Sequence, residues 1–411
     1  MSFNKSKLAL AVAAAAGLTF SSGAFATNGI IQAGNGMVAH GFGGAGLSNG
    51  GDATAGMDNP ALIGDSGDSL NVGWSMFMPD RTTTLYGTYD ITSDAKMFAI
   101  PQIAFTSKIN SSMSWGIMAY AMGGMNTDYR TDVISALAGD ARPSTVDLSG
   151  LIVAPTLSFK PTNNISLGAS LLIAYENFRA RNLFGSDTYY NAGFIPVRFG
   201  TNEGSTMGYG VKLGGDFKIT DGISVGAMIQ PKISMGEISW WKDFLLNYVP
   251  AFGATPFTGD AALTLPNEFG IGGKFAVGKD VDIVADIMYY QWTSVDVFKY
   301  FGWDDQTVYK LGVEFRPSDK LALRAGVNYG KSPIQPGISP SGLPTVFANY
   351  AFPAISETHV TLGLGYKMDK NVAVNAYYLY APKATVTDTF TPVELSMSQN
   401  AFGVGINYTT K

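Results

Sequence analysis

The chain has 411 residues, with 49 Gly, 20 Tyr, 25 Phe and 6 Trp, no Cys, and only 14% charged residues, where a soluble domain carries roughly 25%. So low a charge density argues against a cytosolic enzyme, yet beyond the N-terminal leader no run approaches the roughly 18 to 20 apolar residues that a spanning helix needs. The lack of cysteine removes disulfide frameworks and thiolate metal sites, and His40 and His359 alone supply zinc clusters or Ser-His-Asp chemistry poorly, so no metal and no cofactor are expected.

Lys5 and Lys7 precede an apolar run from Leu8 to Phe20, which Ala24-Phe25-Ala26 closes in the manner of a secretory cleavage site. Residues 1–26 are read as a signal peptide, with the mature chain starting at Thr27. The formal charge of −5 gives no reason to expect nucleic acid as a partner. Residues 27–67 form a head rich in Gly, Ala and Asn with no sustained period. Two motifs in it match catalytic patterns formally. Gly41 to Gly46 fits a dinucleotide fingerprint but has no βαβ surroundings, and Gly46-Leu47-Ser48-Asn49-Gly50 fits a nucleophile elbow without the strand-turn-helix context.

From residue 68 to 411 the sequence breaks into alternating segments. Ile165, Leu167, Ala169, Leu171 and Ile173 are interleaved with small or polar residues, and so are Tyr209, Val211 and Leu213, and Leu321, Leu323 and Val327. Fourteen candidate strands follow, at about 68–78, 97–109, 112–122, 147–160, 164–180, 204–219, 222–238, 260–277, 280–297, 303–316, 320–331, 356–368, 371–383 and 398–409. Tight turns such as Asn110-Ser111 and Asp369-Lys370 alternate with longer links such as 123–146, 181–203, 239–259 and 332–355. Short turns on one rim and long loops on the other, with strands of ten or more residues, are the layout of an outer-membrane barrel and not of a sandwich. The predicted fold is all-β, a 14-stranded antiparallel transmembrane β-barrel. Trp74, Tyr175, Tyr209, Tyr289, Tyr329, Tyr378 and Tyr408 lie near segment ends, where they would form interfacial girdles or simply satisfy strand propensity.

The link 239–259 carries the strongest binding signal. Trp240, Trp241, Phe244, Leu245, Tyr248, Val249 and Phe252 fall on one helical face, with Lys242, Asp243 and Asn247 opposite. Such a face either receives a greasy ligand or staples loops together. Ile334, Ile338, Leu343, Val346, Phe347, Tyr350 and Phe352 in 332–355 could supply an opposing wall, and Val133 to Ala138 could contribute. The period-2 pattern sends Lys212, Lys232, Lys274, Lys310, Arg316 and Arg324 inward with Asp216, Glu268, Asp282, Asp286 and Glu314. Most of these must pair. Lys232 and Arg324, read as mid-strand beside small residues, are the candidates for a ligand carboxylate, Arg being favoured by its bidentate fork.

Behind the leader, Thr27-Asn28-Gly29, His40 to Gly46, Asp52-Ala53 and Asn59-Pro60-Ala61 resemble the N-terminal domain of the FadL family of outer-membrane long-chain fatty-acid transporters, which also includes channels for aromatic hydrocarbons. Tyr120 to Tyr129, with Gly123-Gly124 at its centre, resembles that family's third strand and following loop. The resemblance implies that residues 27–67 are a hatch plugging the lumen, with Gly43, Gly44, Gly46, Asn59, Pro60 and Ala61 as plug residues. It further implies ligand capture among extracellular loops, transfer to an internal pocket, and lateral exit at a kink at Gly123-Gly124. The chain departs from the common terminal Phe in ending Tyr408-Thr409-Thr410-Lys411.

The expected function is passive, ligand-gated uptake of long-chain fatty acids or similar hydrophobic molecules, without enzyme activity. Expected partners are the hydrophobic ligand (a fatty acid, alkane or aromatic hydrocarbon), outer-membrane lipid and lipopolysaccharide, and the barrel-assembly machinery, the protein itself being monomeric. The alternatives are a general porin for small solutes and, less favoured, an outer-membrane lipid esterase using Ser48.

Overall fold

The computed structural model describes residues 27–191, 193 and 200–410, so the leader lies outside the described residues, as does the side chain of Phe252. The wall consists of β1 (Asp68–Leu85), β2 (Phe98–Lys108), β3 (Met113–Tyr129), β4 (Ser144–Thr162), β5 (Ile165–Arg181), β6 (Thr201–Thr220) and β7 (Ile223–Gln230). It continues with β8 (Asn267–Val277), β9 (Val281–Gln291), β10 (Gln306–Ser318), β11 (Leu321–Gly330), β12 (Thr358–Lys367), β13 (Val372–Thr387) and β14 (Val393–Thr410). Each strand pairs antiparallel with the next, and β14 returns to β1 from Thr410–Asp68 to Val393–Leu85, which closes the barrel. All fourteen expected strands are present. Their ends differ where the backbone has its own reasons. Pro231 and Pro266 have no amide for the ladder, so β7 stops at Gln230 and β8 starts at Asn267. Meanwhile β1 and β3 run seven residues beyond their expected ends at 78 and 122, to Leu85 and Tyr129.

The alternation divides two solvents. On β10, Lys310, Gly312 and Glu314 are buried inward, whereas Tyr309, Leu311, Val313 and Phe315 are exposed outward. The same outward exposure holds for Trp74, Tyr175, Tyr209, Tyr289, Tyr329, Tyr378 and Tyr408. An apolar band this large around a whole barrel suits lipid and not water.

Inside sits the hatch. After a hairpin of Thr27–Asn28 and Ile31–Gln32 come short helices at Gly36–Gly41 and Ala55–Asp58, then a 3₁₀ turn at Pro60–Gly64. Asn59 begins that turn, its Oδ1 accepting from Ala61 N while its Nδ2 donates to Leu47 O at 2.7 Å and Gly215 O at 3.0 Å. The wall supplies matching groups. Asp286 accepts from the amides of Gly46 and Leu47 at 2.7 and 3.1 Å, Lys212 donates to Met57 O at 2.6 Å, Lys310 donates to Gly44 O at 3.3 Å, and Asp65 is bridged by Lys160 and Lys218. Ser48 lies 2.5 Å from Asp216 Oδ1 and 2.7 Å from Ser224 Oγ, so the serine of the apparent nucleophile elbow is a hatch-to-wall contact.

Backbone meets backbone at two glycines. Gly43 has φ +71° and lies against Val327, and a Cβ on Gly326 would stand 2.2 Å from Gly43 N. Gly326→Ala and Gly43→Ala are therefore expected to weaken hatch seating by about 1–3 kcal/mol. The temperature at which the folded band disappears on gels should drop and ion conductance in planar bilayers should rise, while Gly50→Ala, whose nearest new contact is 3.7 Å away, should leave both unchanged.

Candidate ligand site and wall opening

The helix at Ser239–Asp243, a π-helical turn at Phe244–Tyr248 and a 3₁₀ turn at Val249–Phe252 follow one another without a break. Their change of pitch still keeps Trp241, Phe244, Leu245, Tyr248 and Val249 buried together, with Asp243 and Asn247 outside. Trp240 is half-buried, its ring 4.8 Å from Phe178 of β5. The facing wall comes from two stretches. From 332–355, Ile334, Val346, Tyr350 and Phe352 are buried, but Ile338 points out at 54% exposure. The other stretch, 292–303, spans the expected end of the 280–297 strand and the link that follows it. It is in fact a 3₁₀ turn at Trp292–Ser294 and a helix at Asp296–Tyr300 that bury Trp292, Phe298, Phe301 and Trp303. The density of aromatics in Tyr300-Phe301-Gly302-Trp303 was the available signal. Phe184, following β5, joins them by stacking on Phe244 and Phe301.

These side chains surround a narrow apolar cavity lined by Met125, Trp241, Leu263, Phe301, Trp303 and Phe352. Its one polar lining residue, Asn349, is fully engaged. Asn349 Oδ1 accepts from Trp303 Nε1 at 2.7 Å, and Nδ2 donates to Phe301 O and Thr345 O, both at 2.8 Å. Tyr350 ties the loops over the cavity. Its hydroxyl donates to Asp132 at 2.6 Å and accepts from Phe184 N at 3.0 Å, and Asp132 also caps the helix at Val133–Leu137 through Ser135 N. Burial pushes the Asp132 carboxyl up from its ordinary value and the Tyr350 phenol well up, which keeps the phenol proton on the donor.

The barrel wall is incomplete beside this cavity. β2 and β3 pair only from Ile103–Ala119 to Lys108–Ser114, although β3 pairs with β4 along its full length. Above, the wall closes again at the Ser93–Tyr129 bridge and the Asp94 N to Asp128 O bond of 2.8 Å. Between them, Ala95 to Gln102 and Tyr120 to Thr127 form no strand pair with each other. Met122 is the extra residue of a β-bulge between Ala121–Leu151 and Gly123–Gly150, and Pro101 on the β2 side has no amide to donate. Gly123 adopts φ +148° with the hatch's Ile30 carbonyl 2.7 Å from where a Cβ would be. Gly124 N points to the same oxygen at 3.4 Å. One hairpin turn away, Gly29 lies on the Trp292 ring, so the start of the hatch touches both the wall opening and the aromatic cluster.

The two expected carboxylate binders are placed differently. Arg324 is buried mid-strand on β11, but its Nε donates to Glu314 at 2.7 Å and its Nη1 to Asn375 at 3.0 Å, leaving its charge paired. Lys232 lies beyond the end of β7 and not mid-strand, with Nζ on Ser294 O at 3.2 Å. Of the plug residues, Gly43, Gly44, Gly46, Asn59, Pro60 and Ala61 all sit at hatch-to-wall or intrahatch contacts.

Residues 12–411 match the family model described as outer membrane protein transport protein (OMPP1/FadL/TodX). The chain belongs to this family. A curated member, the long-chain fatty acid transport protein of Escherichia coli O6:H1, is 23% identical across 99% of this chain and 98% of its own length. Among solved structures, the Pseudomonas putida toluene transporter TodX superposes with a TM-score of 0.70 at 18% identity, covering 92% of this chain and 99% of its own. The Ralstonia pickettii toluene transporter TbuX gives 0.64 at 16% identity, covering 92% and 99%. This FadL-family chain is accordingly an outer-membrane protein of a family that transports hydrophobic compounds, and its relatives are channels and not enzymes.

Removing the Tyr350 partner tests whether these loops form one lid. Asp132→Ala loses both the cap and the phenol contact, at a cost of about 1–3 kcal/mol. It is expected to speed protease cleavage within 130–143 and 332–355 together, with Tyr350→Phe giving a smaller effect at both. Cleavage confined to 130–143 would mean the two loops move independently.

Proposed function

We propose that this protein takes up hydrophobic molecules passively, capturing them in the aromatic cavity beneath the loops and releasing them sideways into the membrane between β2 and β3. The observation that carries this reading is the unpaired stretch of wall at Pro101 and Met122–Gly124, next to a cavity to which β3 itself contributes Met125. A greasy solute gains about 0.8 kcal/mol for each CH₂ it buries. It can gain that in an apolar cavity and again in lipid, but not in the charged half of the lumen nearer the short turns. There Lys274, Asp282, Glu314, Arg316 and Arg324 form a paired network. The filled lumen supports a lateral route over the straight one that a general porin needs.

Release requires a change of shape, because Ile30 of the hatch lies behind Gly123 and the cavity is narrow. The hatch hairpin is the coupling element in this reading. Ligand pressing on the cluster at Trp292 would shift Gly29 and Ile30 and free the bulge.

The chain has no native cysteine, so the wall can be tied shut cleanly. With Ile100→Cys and Met122→Cys joined by a flexible bis-methanethiosulfonate reagent, uptake of a hydrophobic reporter by expressing cells should fall severalfold and recover on adding reductant. Each single variant treated alike should transport normally. Unimpaired uptake with the bridge in place would refute exit through this gap.

A further inference from the structure

The cavity and its surroundings leave one polar requirement unanswered if the solute is an amphiphile. An ionised carboxylate drawn into the aromatic cavity would meet no cation, Asn349 being fully engaged and the unpaired Trp241 indole N–H being a neutral donor, and a buried unpaired charge costs several kcal/mol. Four cations are buried among the described residues: Arg81, Lys212, Lys310 and Arg324. Three are bonded to the hatch or to other lumen groups. Arg81 is not. Its side chain, 3% exposed, has neither Nε nor Nη2 hydrogen-bonded. The neighbouring carboxylate, Asp80, projects from the opposite face of β1 and pairs with Lys96 at 3.3 Å.

The place of Arg81 is specific. Ser93, whose bridge to Tyr129 closes the wall above the gap, donates its amide to the Arg81 carbonyl at 2.9 Å. The Arg81 guanidinium stands 5.7 Å from the ring centre of Phe98, the first residue of β2 and part of the unpaired stretch. Tyr129 hydrogen-bonds to the carbonyl of Tyr350 at 3.1 Å, and Thr127 to that of Ala351. The loop that lines the aromatic cavity through Phe352 therefore reaches this same corner. A guanidinium over an apolar ring, with Nε and Nη2 unused, suits a carboxylate whose hydrocarbon tail lies along the ring.

We infer that Arg81 is an anion-binding residue at the upper rim of the β2–β3 gap, and that it takes the carboxylate of a long-chain fatty acid whose tail lies down along Phe98 into the gap. This rests on the lateral-uptake reading and narrows its substrate class to carboxylate-bearing chains over neutral hydrocarbons. Glu176, a buried carboxyl without a hydrogen-bond partner, lies lower in the wall, its register position opposite Gly150 and level with the bulge, and offers a carboxylate no cation there, which leaves the upper rim as the end of the gap that does.

Saturable binding of palmitate and of hexadecanol to the detergent-solubilised full-length protein tests this, the two probes differing in the head group. The wild-type protein is expected to prefer palmitate by about tenfold or more. In Arg81→Gln that preference should collapse towards one, and Arg81→Lys should keep part of it. A wild-type ratio near one, or a ratio unchanged in a folded Arg81→Gln protein, overturns the assignment while leaving hydrophobic uptake standing. If the wild type binds neither probe saturably, the uptake reading falls and the assignment with it. The wild-type ratio needs no variant, so a folding failure in Arg81→Gln does not shield the inference.

Discussion

Lipid offers no hydrogen bonds, and that one constraint organises the molecule. Every backbone amide and carbonyl in the wall must find a partner within the protein, which only a closed ladder supplies to strands. The pairing of β14 with β1 over eighteen residues, Asp68 to Leu85, meets that demand where the barrel's first and last strands come together. A break in the ladder is tolerable only where the freed backbone is covered from inside. Between β2 and β3 the cover is the hatch, whose Ile30 carbonyl sits against Gly123 and faces Gly124 N. The gap and the hatch are thus one structural device, since the first is affordable only with the second in place.

The same constraint explains why the interior is divided. Toward the short turns, the lumen is a network of ions: Lys274 and Arg316 on Asp282, Arg316 and Arg324 on Glu314, and Lys160 and Lys218 on Asp65. The Asp65 pairs and the Lys274 bond to Asn49 tie the hatch to this network, and the remaining pairs join wall strand to wall strand. Toward the long loops the contents change to Trp241, Phe244, Trp292, Phe301 and Trp303, packed ring on ring. An apolar solute moving down the axis would leave a favourable environment for an unfavourable one, whereas the β2–β3 gap adjoins the cavity side.

The alternation that writes lipid-facing and lumen-facing residues into each strand made the strand number, the strand order and the inward charges legible in the sequence. It could not show where pairing stops. Pro101 looked like an ordinary strand residue, because the meaning of its missing amide depends on which neighbour it faces. The glycine pair at 123–124 was readable as a weak point, but the extra residue, Met122, emerges only from the register against β4. Arg324 looked available because its strand neighbours are small, while the carboxylate that occupies it, Glu314, comes from β10 and is invisible without the register. Arg81 carries no such signal in the sequence, because it lies beyond the expected end of β1 at about residue 78, and only the longer strand turns it inward.

On the proposed lateral route, the hatch would not have to leave the barrel for the wall to open. Its firm contacts begin at the Gly36–Gly41 helix, where His40 stacks on Tyr377 and Thr361 donates to Gly41 O at 3.2 Å, and continue through Gly326, Asp286 and Lys310 of the wall and Asn59 and Asp65 of the hatch. Its contact with the gap lies before them, in the Thr27–Gln32 hairpin, whose buried Ile30 sets its carbonyl against Gly123 and Gly124 and whose Gly29 meets the aromatic cluster. A displacement limited to that hairpin would uncover Gly123 and leave the ionic lower half undisturbed. Breaking many charged hydrogen bonds at once would require several times the free energy that a buried solute returns. On the proposed lateral route, a division of the hatch into a locked body and a movable leading hairpin would let a solute of modest binding energy open a path in the wall without opening the channel to ions.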